Sequence, residues 1–552
     1  MKSLFFLLGI LSALAGSSSG LLWAQSIELE LRSQQPTAAD SNRFHRLTRD
    51  EQWVPAQTAV IVCDMWDAHH CLNAVRRVTQ LAPRMNAFCE LLRDQGVTII
   101  HAPSGCMDAY RNHPARLRIE RVAAAKSQPD QIDDWCDQIP SEEVAAYPID
   151  QSDGGEDDDP EQHQQWAERL AAIGRNPKAP WQQQTDVIRI DPQRDYISDS
   201  GSEIWSVLDA NQIRNVILVG VHTNMCVLGR PFGLRRLAAA GKNVVLARDL
   251  TDTMYNPGAW PYANHFTGTD LIINHVERYV CPTITSDQVL GDQPFRFAGD
   301  QRTRLLMLIA EDEYETQRTL PAFAATHLSQ HFSVDVAWGS DSERNEMVGV
   351  QQLAAADALL VSVRRRALPA ADLALIRQFI AEGKPVIGIR TASHAFSLRG
   401  KEPPAGTAVW PTFDGDVFGG NYSNHFGNSL QTNVLPLADG AEHPILDATD
   451  VVAIKPAGSL YKVTPLAAGT RVLFSGQVDG NDAQPLAWTF VRNDGGRSFY
   501  TSLGHPGDFR QPEFQALLAA GIHWACGRPA ESLDHINRQS KRYAAGGGKQ
   551  RN

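Results

Sequence analysis

NVILVGVHTNMCV, residues 215–227, is the stretch that decides the fold of this chain. Residues 215–219 are apolar and rich in β-branched side chains, which predicts a buried strand, and residues 228–240 predict a helix. Cys226 therefore lies where a strand passes into a helix N-terminus. There, unpaired backbone N–H groups and the helix dipole favour a thiolate and can hold a developing oxyanion. Position alone leaves two interpretations open, a nucleophile or a small buried hydrophobic residue.

The sequence around this stretch alternates apolar strands with amphipathic helices. Strands are predicted at residues 59–63, 97–101, 187–190, 215–219, 243–247 and 271–276, and helices at 75–92 and 202–211. This order predicts a doubly wound parallel α/β sheet over residues 56–285. The pattern breaks over residues 107–185, an insertion long enough to cover a pocket. Its acidic run at 150–161 is expected to be a solvated surface loop.

A second set of strands and helices follows a polar linker at residues 286–302. Strands are predicted at residues 304–310, 334–338, 358–363 and 385–389, and helices at 320–332 and 370–382. A chain of 552 residues is too long for one ordinary core. We therefore expect two doubly wound, Rossmann-like α/β domains with three layers and mainly parallel sheets, at residues 56–285 and 303–530. Residues 25–55 are expected to be an irregular N-terminal extension, and residues 531–552 a flexible tail.

The N-terminus has the layout of a targeting segment. Lys2 precedes an apolar run at residues 4–15, and small and polar residues continue to Ala24. This predicts a signal peptide at residues 1–24 and export to the periplasm or the extracellular space, with no membrane contact after cleavage. The alternative is an uncleaved membrane anchor, although the apolar run is short for a membrane span.

Composition limits the class of partner. Lysine and arginine number 51 against 63 aspartates and glutamates, a net charge of −12. This balance gives no reason to expect nucleic acid or an anionic membrane, and it favours a small-molecule substrate. The eight cysteines form no Cys-x-x-Cys pair, so neither a zinc ribbon nor a thioredoxin-type site is indicated. No cofactor is expected, and a homo-oligomer remains an open alternative.

A carboxylate and a thiol follow two predicted strands of the first domain. Asp64 follows the strand at 59–63, and Cys226 follows the strand at 215–219. Because ligands bind at the carboxyl ends of the strands in such sheets, we expect the two side chains to meet in one crevice. The carboxylate can take the thiol proton, the thiolate can attack a carbonyl carbon, and the protonated acid can then serve the leaving group before water completes the cycle.

Residues near these two are the candidates for the pocket wall. They are Trp66, His69, His101, Thr223 and Asn224. The cluster of Asp67, His69 and His70 is also open to interpretation as a metal site. Adjacent histidines tend to diverge, however, and we predict no metal there.

On these residues the first domain resembles the isochorismatase-like cysteine hydrolases, which include nicotinamidases and related amidases. The matching pieces are the strand that ends at Asp64, the motif Gly220-Val221-x-Thr223-x-x-Cys226-Val227, and the strand that ends in Ala247-Arg248-Asp249. The resemblance implies that Asp64 is the general acid and base and that Cys226 is the nucleophile. It also implies a cis peptide bond between Val221 and His222, and an oxyanion hole made by the N–H groups of His222 and Cys226.

The sequence departs from that family in two places. The family's lysine is expected in the segment at 187–196, which contains none, so Arg189 or Arg194 is the candidate for the missing positive charge. An arginine can orient or stabilise, but it does not easily release a proton. Nicotinamidase-like members also bind a metal through an Asp-x-His pattern after the second strand. That place reads His101-Ala102-Pro103-Ser104, and we predict no metal there.

The second domain resembles ThuA-like (trehalose-utilisation-like) domains, which are relatives of the class I glutamine amidotransferases. The resemblance rests on the sequence at residues 383–390, 418–420, 500–506 and 521–528. It implies a carbohydrate connection. The amidotransferases have a nucleophilic cysteine on the turn that here spans residues 390–394 and contains none, which argues against glutamine hydrolysis. His394, His425 and His505 lie in loops, where they either line a pocket or bind a metal, or are ordinary hydrogen-bonded histidines.

Three hypotheses of function follow. The leading one is an exported cysteine hydrolase that acts on a small amide or a related C–N or C–O bond and is joined to a ThuA-like domain. The competing one is a binding protein that has lost turnover and recognises a carbohydrate or small metabolite through one or both domains. In the third, the second domain carries out chemistry on a sugar through His394, His425 or His505.

Overall fold

A computed structural model describes residues 26–39, 41–437 and 442–547. These residues form α/β domains on two separate, mainly parallel sheets, which confirms the predicted fold class. The predicted signal peptide at 1–24 lies outside the described residues. Within the described ranges, no helix combines the length and the apolar character that crossing a bilayer requires.

The first domain contains eight strands in one sheet. The strands are β1 (Ile27–Pro36), β2 (Phe44–Trp53), β3 (Thr58–Cys63), β4 (Thr98–Ala102), β5 (Tyr196–Ile197), β6 (Asn215–Val221), β7 (Asn243–Asp252) and β8 (Thr283–Ile284). The helices are α1 (Leu72–Asp94), α2 (Pro114–Ile119), α3 (Pro160–Ala172), α4 (Gly201–Ala210), α5 (Leu234–Ala239), α6 (His265–Tyr279) and α7 (Asp287–Leu290). Their order in the sheet is β2-β1-β8-β7-β6-β3-β4-β5.

Strand β3 is the centre of this sheet, because all six of its residues are buried. Val60 and Val62 pack on one face in the core that includes Phe88 of α1, and Ile61 packs on the other face in the core that includes Ile204 of α4. Helices on both faces are the reason that β3 is a continuous apolar run. The chain passes from β3 to β4 on one side and later returns to β6 on the other, so the topological switch point lies between β3 and β6.

Three sequence predictions for this domain are wrong. Residues 187–190 form a turn in which Ile188 donates to the carbonyl of Thr185 at 3.2 Å, and the short strand β5 pairs with β4 instead. Residues 271–276 belong to helix α6, because the Asn264 cap and one-sided packing outweigh the local β-branched content. The described residues of the N-terminal extension, 26–39 and 41–55, are not irregular, since β1 and β2 form a long antiparallel hairpin at the edge of the sheet.

The helix predicted at residues 228–240 is interrupted. Residues Thr223–Val227 form one π-helical turn, and helix α5 begins only at Leu234. Pro231 lies in the break, where it cannot donate a backbone hydrogen bond. The interruption leaves Arg230 on the turn just after Cys226.

The second domain is built on a nine-stranded sheet of order β11-β10-β9-β12-β14-β21-β20-β19-β17. Its strands are β9 (Thr303–Ala310), β10 (Phe332–Gly339), β11 (Met347–Val348), β12 (Ala358–Val363), β14 (Val386–Ile389), β17 (Asn433–Pro436), β19 (Thr470–Gln477), β20 (Gln484–Val491) and β21 (Arg497–Thr501), and the two-residue strands outside it are β13 (Leu368–Pro369), β15 (Thr407–Ala408), β16 (Asn424–His425) and β18 (Tyr461–Lys462). Its helices are α8 (Thr316–His327), α9 (Ala370–Ala381), α10 (Pro444–Asp447), α11 (Pro512–Ala525) and α12 (Leu533–Gly547). The switch point lies between β9 and β12.

The tail predicted to be flexible is helical up to Gly547 as α12. Ile536 on this helix is fully buried in the core that α11 lines, and the Tyr543 ring lies 6.1 Å from that of Trp260 in the first domain. This burial of apolar side chains explains the order of the segment.

Candidate functional site

The ends of β3 and β6 place Asp64 beside Cys226. Cys63 pairs with Gly220 in the parallel ladder, and a Cβ atom at Gly220 would lie 2.0 Å from the carbonyl oxygen of Cys63. Only glycine allows this approach, and its φ of 116° is also one that other residues rarely adopt. Asp64 and Cys226 are close enough for the charge of the carboxylate to raise the pKa of the thiol, so the pair expected from the sequence meets at the switch point.

The backbone on both sides of this pair is unusual. Asp64 has a φ of 48°, in the left-handed region, which turns the chain sharply out of β3. The Val221–His222 peptide bond is cis, as the family resemblance implied. The His222 carbonyl accepts hydrogen bonds from Met225 at 3.0 Å and Val227 at 3.2 Å, which closes a tight turn around Cys226. The oxyanion hole at His222 and Cys226 stays a prediction.

The cation of the site is Arg230. Its Nε donates to Oδ2 of Asp64 at 3.1 Å. The prediction that Arg189 or Arg194 replaces the missing lysine is wrong. Arg189 is exposed, and Arg194 is exposed and pairs with Asp94 and Asp191. Neither arginine can neutralise Asp64 from those positions.

Burial controls the protonation of the pair. Burial raises the pKa of the Asp64 carboxyl, while Arg230 and the backbone N–H of Ser104, which donates to Oδ1 at 2.7 Å, act in the opposite direction. Burial, and then the negative charge of Asp64, raise the pKa of the Cys226 thiol. The expectation of a thiolate stabilised by a helix N-terminus is therefore wrong. The resting group is a thiol next to a carboxylate that can accept its proton.

A small cavity adjoins Asp64. Its wall includes Trp66, His69, Val78 and His222, and its volume is about 10 Å³. That is about the space that the centre of one water molecule needs. Cys226 is not among the residues that line this space, so the cavity adjoins the carboxylate rather than the thiol.

The insertion at 107–185 forms the cover of this site. Its last residues run along the segment after Asp64, where Asp67 donates to the Gln183 carbonyl at 2.9 Å and Thr185 donates to the Met65 carbonyl at 2.8 Å. The Trp181 ring stacks on Trp66 with centroids 4.5 Å apart.

Two of the predicted pocket residues, Trp66 and His69, line the cavity, and three do not. His101 is fully buried between Gln184 and Asp195, with each contact at 3.1 Å. The Thr223 hydroxyl bonds to the Asp252 carbonyl at 2.9 Å. The Asn224 amide bonds to both the N–H and the carbonyl of Met254. These side chains hold the loops around the site in place.

Within the described residues, Asp67, His69 and His70 in the segment before α1 do not form a group with the spacing of metal ligands. Asp67 pairs with Arg175 at 2.7 Å and the His69 ring accepts from the N–H of Cys71, although the rings of His69 and His70 lie 4.1 Å apart and do not diverge as expected. The acidic run is not simply solvated, because Asp158 is nearly buried and accepts hydrogen bonds from the first N–H groups of α1. Two groups have the spacing of metal ligands, Cys71 with Asp157 and Asp158, and Glu156 with Asp158 and His163. The expectation of no metal stays a prediction.

Three histidines predicted for the second domain surround one group of tyrosines. The His394 ring lies 4.4 Å from that of Tyr422 and 6.1 Å from that of Tyr461. The His425 ring lies 6.4 Å from Tyr461, and the His505 ring lies 6.0 Å from Tyr314. Only His394 is buried, and its Nδ1 lies 3.1 Å from the neighbouring Ser393 hydroxyl.

Sequence reasoning missed Arg230 and Ser104. Arg230 is four residues after Cys226, a spacing that places two residues on one side of a helical turn, and this signal could have found it. Ser104 follows β4, the neighbour of β3, so its backbone faces the same edge of the sheet as Asp64. The cation of the site lies on the turn after Cys226, and not in the segment at 187–196 where the family's lysine was expected.

Comparisons with known proteins agree with both resemblances. The family model described as ThuA, trehalose utilisation, matches residues 305–525. The second domain is ThuA-like. Similar solved structures include a ThuA-like protein from Bacteroides uniformis, with 18% identity over 42% of this chain and 95% of that chain and a TM-score of 0.32. No curated protein matches the chain.

The solved structures that are similar to this chain also include hydrolases. A cysteine hydrolase from Pseudomonas syringae pv. phaseolicola has 14% identity over 43% of this chain and 92% of that chain, with a TM-score of 0.26. An isochorismatase family protein from Desulfovibrio vulgaris has 13% identity over 43% of this chain and 99% of that chain, with a TM-score of 0.23. At these identities and TM-scores the likeness carries no conclusion about function, which has to be argued from the site.

Proposed function

We propose that the first domain is a cysteine hydrolase that cleaves a small amide or a related C–N or C–O bond. Cys226 is the nucleophile and Asp64 is the general acid and base. The observation that carries the proposal is the contact of a thiol with a buried carboxylate that an arginine neutralises, at the switch point of a doubly wound sheet.

The reaction starts from the protonated thiol. As the sulfur bonds to the carbonyl carbon, Asp64 takes the thiol proton, and in this proposal the N–H groups of His222 and Cys226 hold the oxyanion. When the C–N bond breaks, Asp64 returns that proton to the leaving nitrogen. Water then attacks the thioester, gives its proton to Asp64, and the sulfur leaves and recovers the proton.

Arg230 has an electrostatic role in this scheme. Its guanidinium keeps Asp64 charged in a buried place, where a carboxylate without a partner would be protonated more readily. It transfers no proton, because an arginine stays charged.

Amide hydrolysis by matched variants tests the proposal. A panel of small amides and esters is screened with the wild type, Cys226→Ala and Cys281→Ala, in which Cys281 is a buried cysteine of the same domain at the end of α6. We expect hydrolysis by the wild type and by Cys281→Ala, and loss of it in Cys226→Ala. Hydrolysis that persists in Cys226→Ala would show that the mechanism is wrong.

A binding protein without turnover is the second candidate. Two observations favour it. The cavity beside Asp64 has a volume of only about 10 Å³, and the cation next to Asp64 is an arginine, which does not easily release a proton. Calorimetry on the same panel separates the two candidates. A compound that binds the wild type and Cys226→Ala equally, and that neither protein consumes, supports the binding protein.

For the whole chain we propose export through residues 1–24 and a ThuA-like domain that does not hydrolyse glutamine. The turn after β14 supports the second point, because it carries Arg390 and Ser393 where an amidotransferase has its cysteine. N-terminal sequencing of the expressed protein tests the first point, with a mature chain that begins after Ala24 as the expected result. Release of ammonia from glutamine by Cys226→Ala would contradict the second.

A further inference from the structure

The carboxyl edge of the second sheet gathers side chains from four strands. Tyr314 follows β9, Arg365 follows β12, Arg390 follows β14 and His505 follows β21. The switch point of this sheet lies between β9 and β12, so these loops diverge and leave a crevice where ligands of doubly wound sheets bind. None of these groups belongs to the candidate site at Cys226.

Four arginines meet at this edge, and we name Arg364, Arg365, Arg390 and Arg399 the arginine cluster. All four act on the buried His394, whose pKa is lowered to about 2 by burial and then by their positive charges. Three of them, at positions 364, 365 and 390, have a buried Nε without a hydrogen-bond partner. Unpartnered buried donors are rare in proteins, and each of these could be satisfied by an acceptor that binds there.

Carboxylates do not balance this charge. Glu313 pairs with Arg364. Asp508 also acts on Arg390, but its Oδ2 accepts hydrogen bonds from the N–H groups of Gly504 and His505, and its Oδ1 accepts one from the N–H of Ala457. Among the described residues, Glu313 and Asp508 are thus the carboxylates seen to act on the four arginines, and the backbone already engages Asp508. The cluster therefore has a net positive charge, which favours the binding of an anion.

The cluster has a buried member and exposed members. Arg390 is only 2% exposed, and its guanidinium lies 4.1 Å from the ring centre of Tyr314 and 4.7 Å from that of Tyr461. Arg365 and Tyr422 are partly exposed, and Arg399 is exposed, so the rim is open to solvent. The aromatic rings hold the guanidinium at the base in one orientation.

Backbone strain is concentrated in the same place. Arg365, Arg390 and Arg399 have φ values of 48°, 44° and 56°, in the left-handed region that bulky residues rarely adopt. Such strain is kept where the position of a side chain matters to function. The three arginines are therefore held in place at a cost in conformational energy.

We propose that the arginine cluster binds the phosphate or carboxylate group of an anionic small molecule, with Arg390 at the base of the site and Arg365 at its rim. Guanidinium groups suit both anions, because each presents N–H donors in a planar fork. The site is independent of the proposed hydrolase. If no anion binds here, the proposed chemistry at Cys226 is unaffected. If Cys226 is not a nucleophile, the proposed anion site is likewise unaffected.

Calorimetric titration of the full chain tests this proposal with inorganic phosphate, acetate, glucose 6-phosphate, glucuronate and uncharged glucose. The variants are Arg365→Gln and Arg390→Gln, and the control is Arg497→Gln, an exposed arginine at the opposite end of β21. We expect at least one anion to bind, glucose not to bind, and each cluster variant to weaken the affinity roughly 10-fold or more. The control should bind as the wild type does.

The pattern of ligands identifies the source of the anion. Equal affinity for phosphate and for glucose 6-phosphate indicates a site for the free anion, and tighter binding of a sugar acid indicates a larger ligand. Thermal unfolding shows whether Arg390→Gln is folded, and if it is not, Arg365→Gln alone decides. The proposal is overturned if no anion binds at millimolar concentration, or if Arg365→Gln binds as tightly as the wild type.

Discussion

Arg230 donates from Nε to Oδ2 of Asp64 at 3.1 Å, so the turn that carries Cys226 also supplies the cation of the site. The carboxylate that this arginine neutralises is the one beside the thiol. One short segment thus provides both the nucleophile and the charge that controls its base.

Removal of that charge should impair the base. In Arg230→Gln the pKa of Asp64 rises further, because burial is then opposed only by hydrogen bonds. Asp64 acts as a base when deprotonated, so activity falls as the pH drops through its pKa, and this acid limb should move to higher pH. We expect kcat/KM on a hydrolysed amide to fall roughly 10- to 100-fold at neutral pH. Arg230→Lys, which keeps the charge, should lose less.

Arg189→Gln is the control for this prediction, since Arg189 is an exposed arginine that the sequence suggested for the same role. It should leave the pH profile unchanged. The assignment of the cation would be wrong if Arg189→Gln moved the acid limb and Arg230→Gln did not.

The raised pKa of the Cys226 thiol should be visible in its alkylation. Because iodoacetamide reacts with the thiolate, modification of Cys226 should be slow at neutral pH and faster in alkali. Asp64→Asn removes a negative charge that raises the pKa of this thiol. The variant should therefore be alkylated faster than the wild type at the same pH, while its hydrolysis is lost. Peptide mass spectrometry gives both rates.

Cys281 provides an internal control in the same samples. It is buried, and Asp64 is not among the groups that shift the pKa of its thiol, so its alkylation should not respond to Asp64→Asn. Slower alkylation of Cys226 in Asp64→Asn would contradict the electrostatic account.

Glu142 fastens the insertion to the core. Arg235 donates to its two oxygens from Nε and Nη2 at 2.8 Å, and the His275 ring lies 2.8 Å from Oε1. Although burial opposes them, these partners lower the pKa of Glu142 from 4.5 to about 2. Glu142→Gln should reduce the free energy of unfolding by about 3 kcal/mol at neutral pH. Glu143→Gln, the exposed neighbour, should change it little.

The pH dependence of that loss has a definite sign. A carboxylate with a lowered pKa stabilises the fold above its unfolded value of 4.5, and this contribution is lost as the pH falls through about 2. The difference between the wild type and Glu142→Gln, measured by denaturant titration, should therefore shrink between these values. A difference that does not depend on pH would rule out the ionised form of Glu142 as its cause.

The sequence predicts the parts of the fold that local patterns determine. Strands β3 and β6 are apolar runs buried on both faces, and they are correctly predicted. Helix α6 is mistaken for a strand at 271–276 because β-branched residues lie on its buried side. The short strand β5 is determined by pairing with β4 and has no pattern of its own.

The candidate site also has features that the local sequence predicts and features that depend on tertiary structure. Asp64 and Cys226 are predictable because strand ends bring them together. The wall of the cavity beside Asp64 is not, since the stacking of Trp181 on Trp66 depends on how a long insertion returns to the core. Arg230 is predictable in part, because its spacing from Cys226 places both on one side of a helical turn, but its ion pair with Asp64 depends on the tertiary structure.

Gly220 is the position where the fold and the site depend on the same atom. Its φ is 116°, and a Cβ there would lie 2.0 Å from the carbonyl oxygen of Cys63. Gly241 is a matched control, because its φ of 79° is also positive but its Cβ would meet nothing within 4 Å. Gly241→Ala should cost roughly 1–2 kcal/mol of unfolding free energy from the backbone conformation alone.

Gly220→Ala has the same conformational cost from a positive φ as Gly241→Ala. In addition, its methyl group clashes with the carbonyl oxygen of Cys63 in the buried strand β3. We expect a loss of more than about 4 kcal/mol, or no folded protein, because the added methyl forces β3 and β6 apart. Denaturant titration of both variants measures the difference. Equal losses in the two variants would mean that β6 does not approach β3 as closely as the register of Cys63 with Gly220 requires.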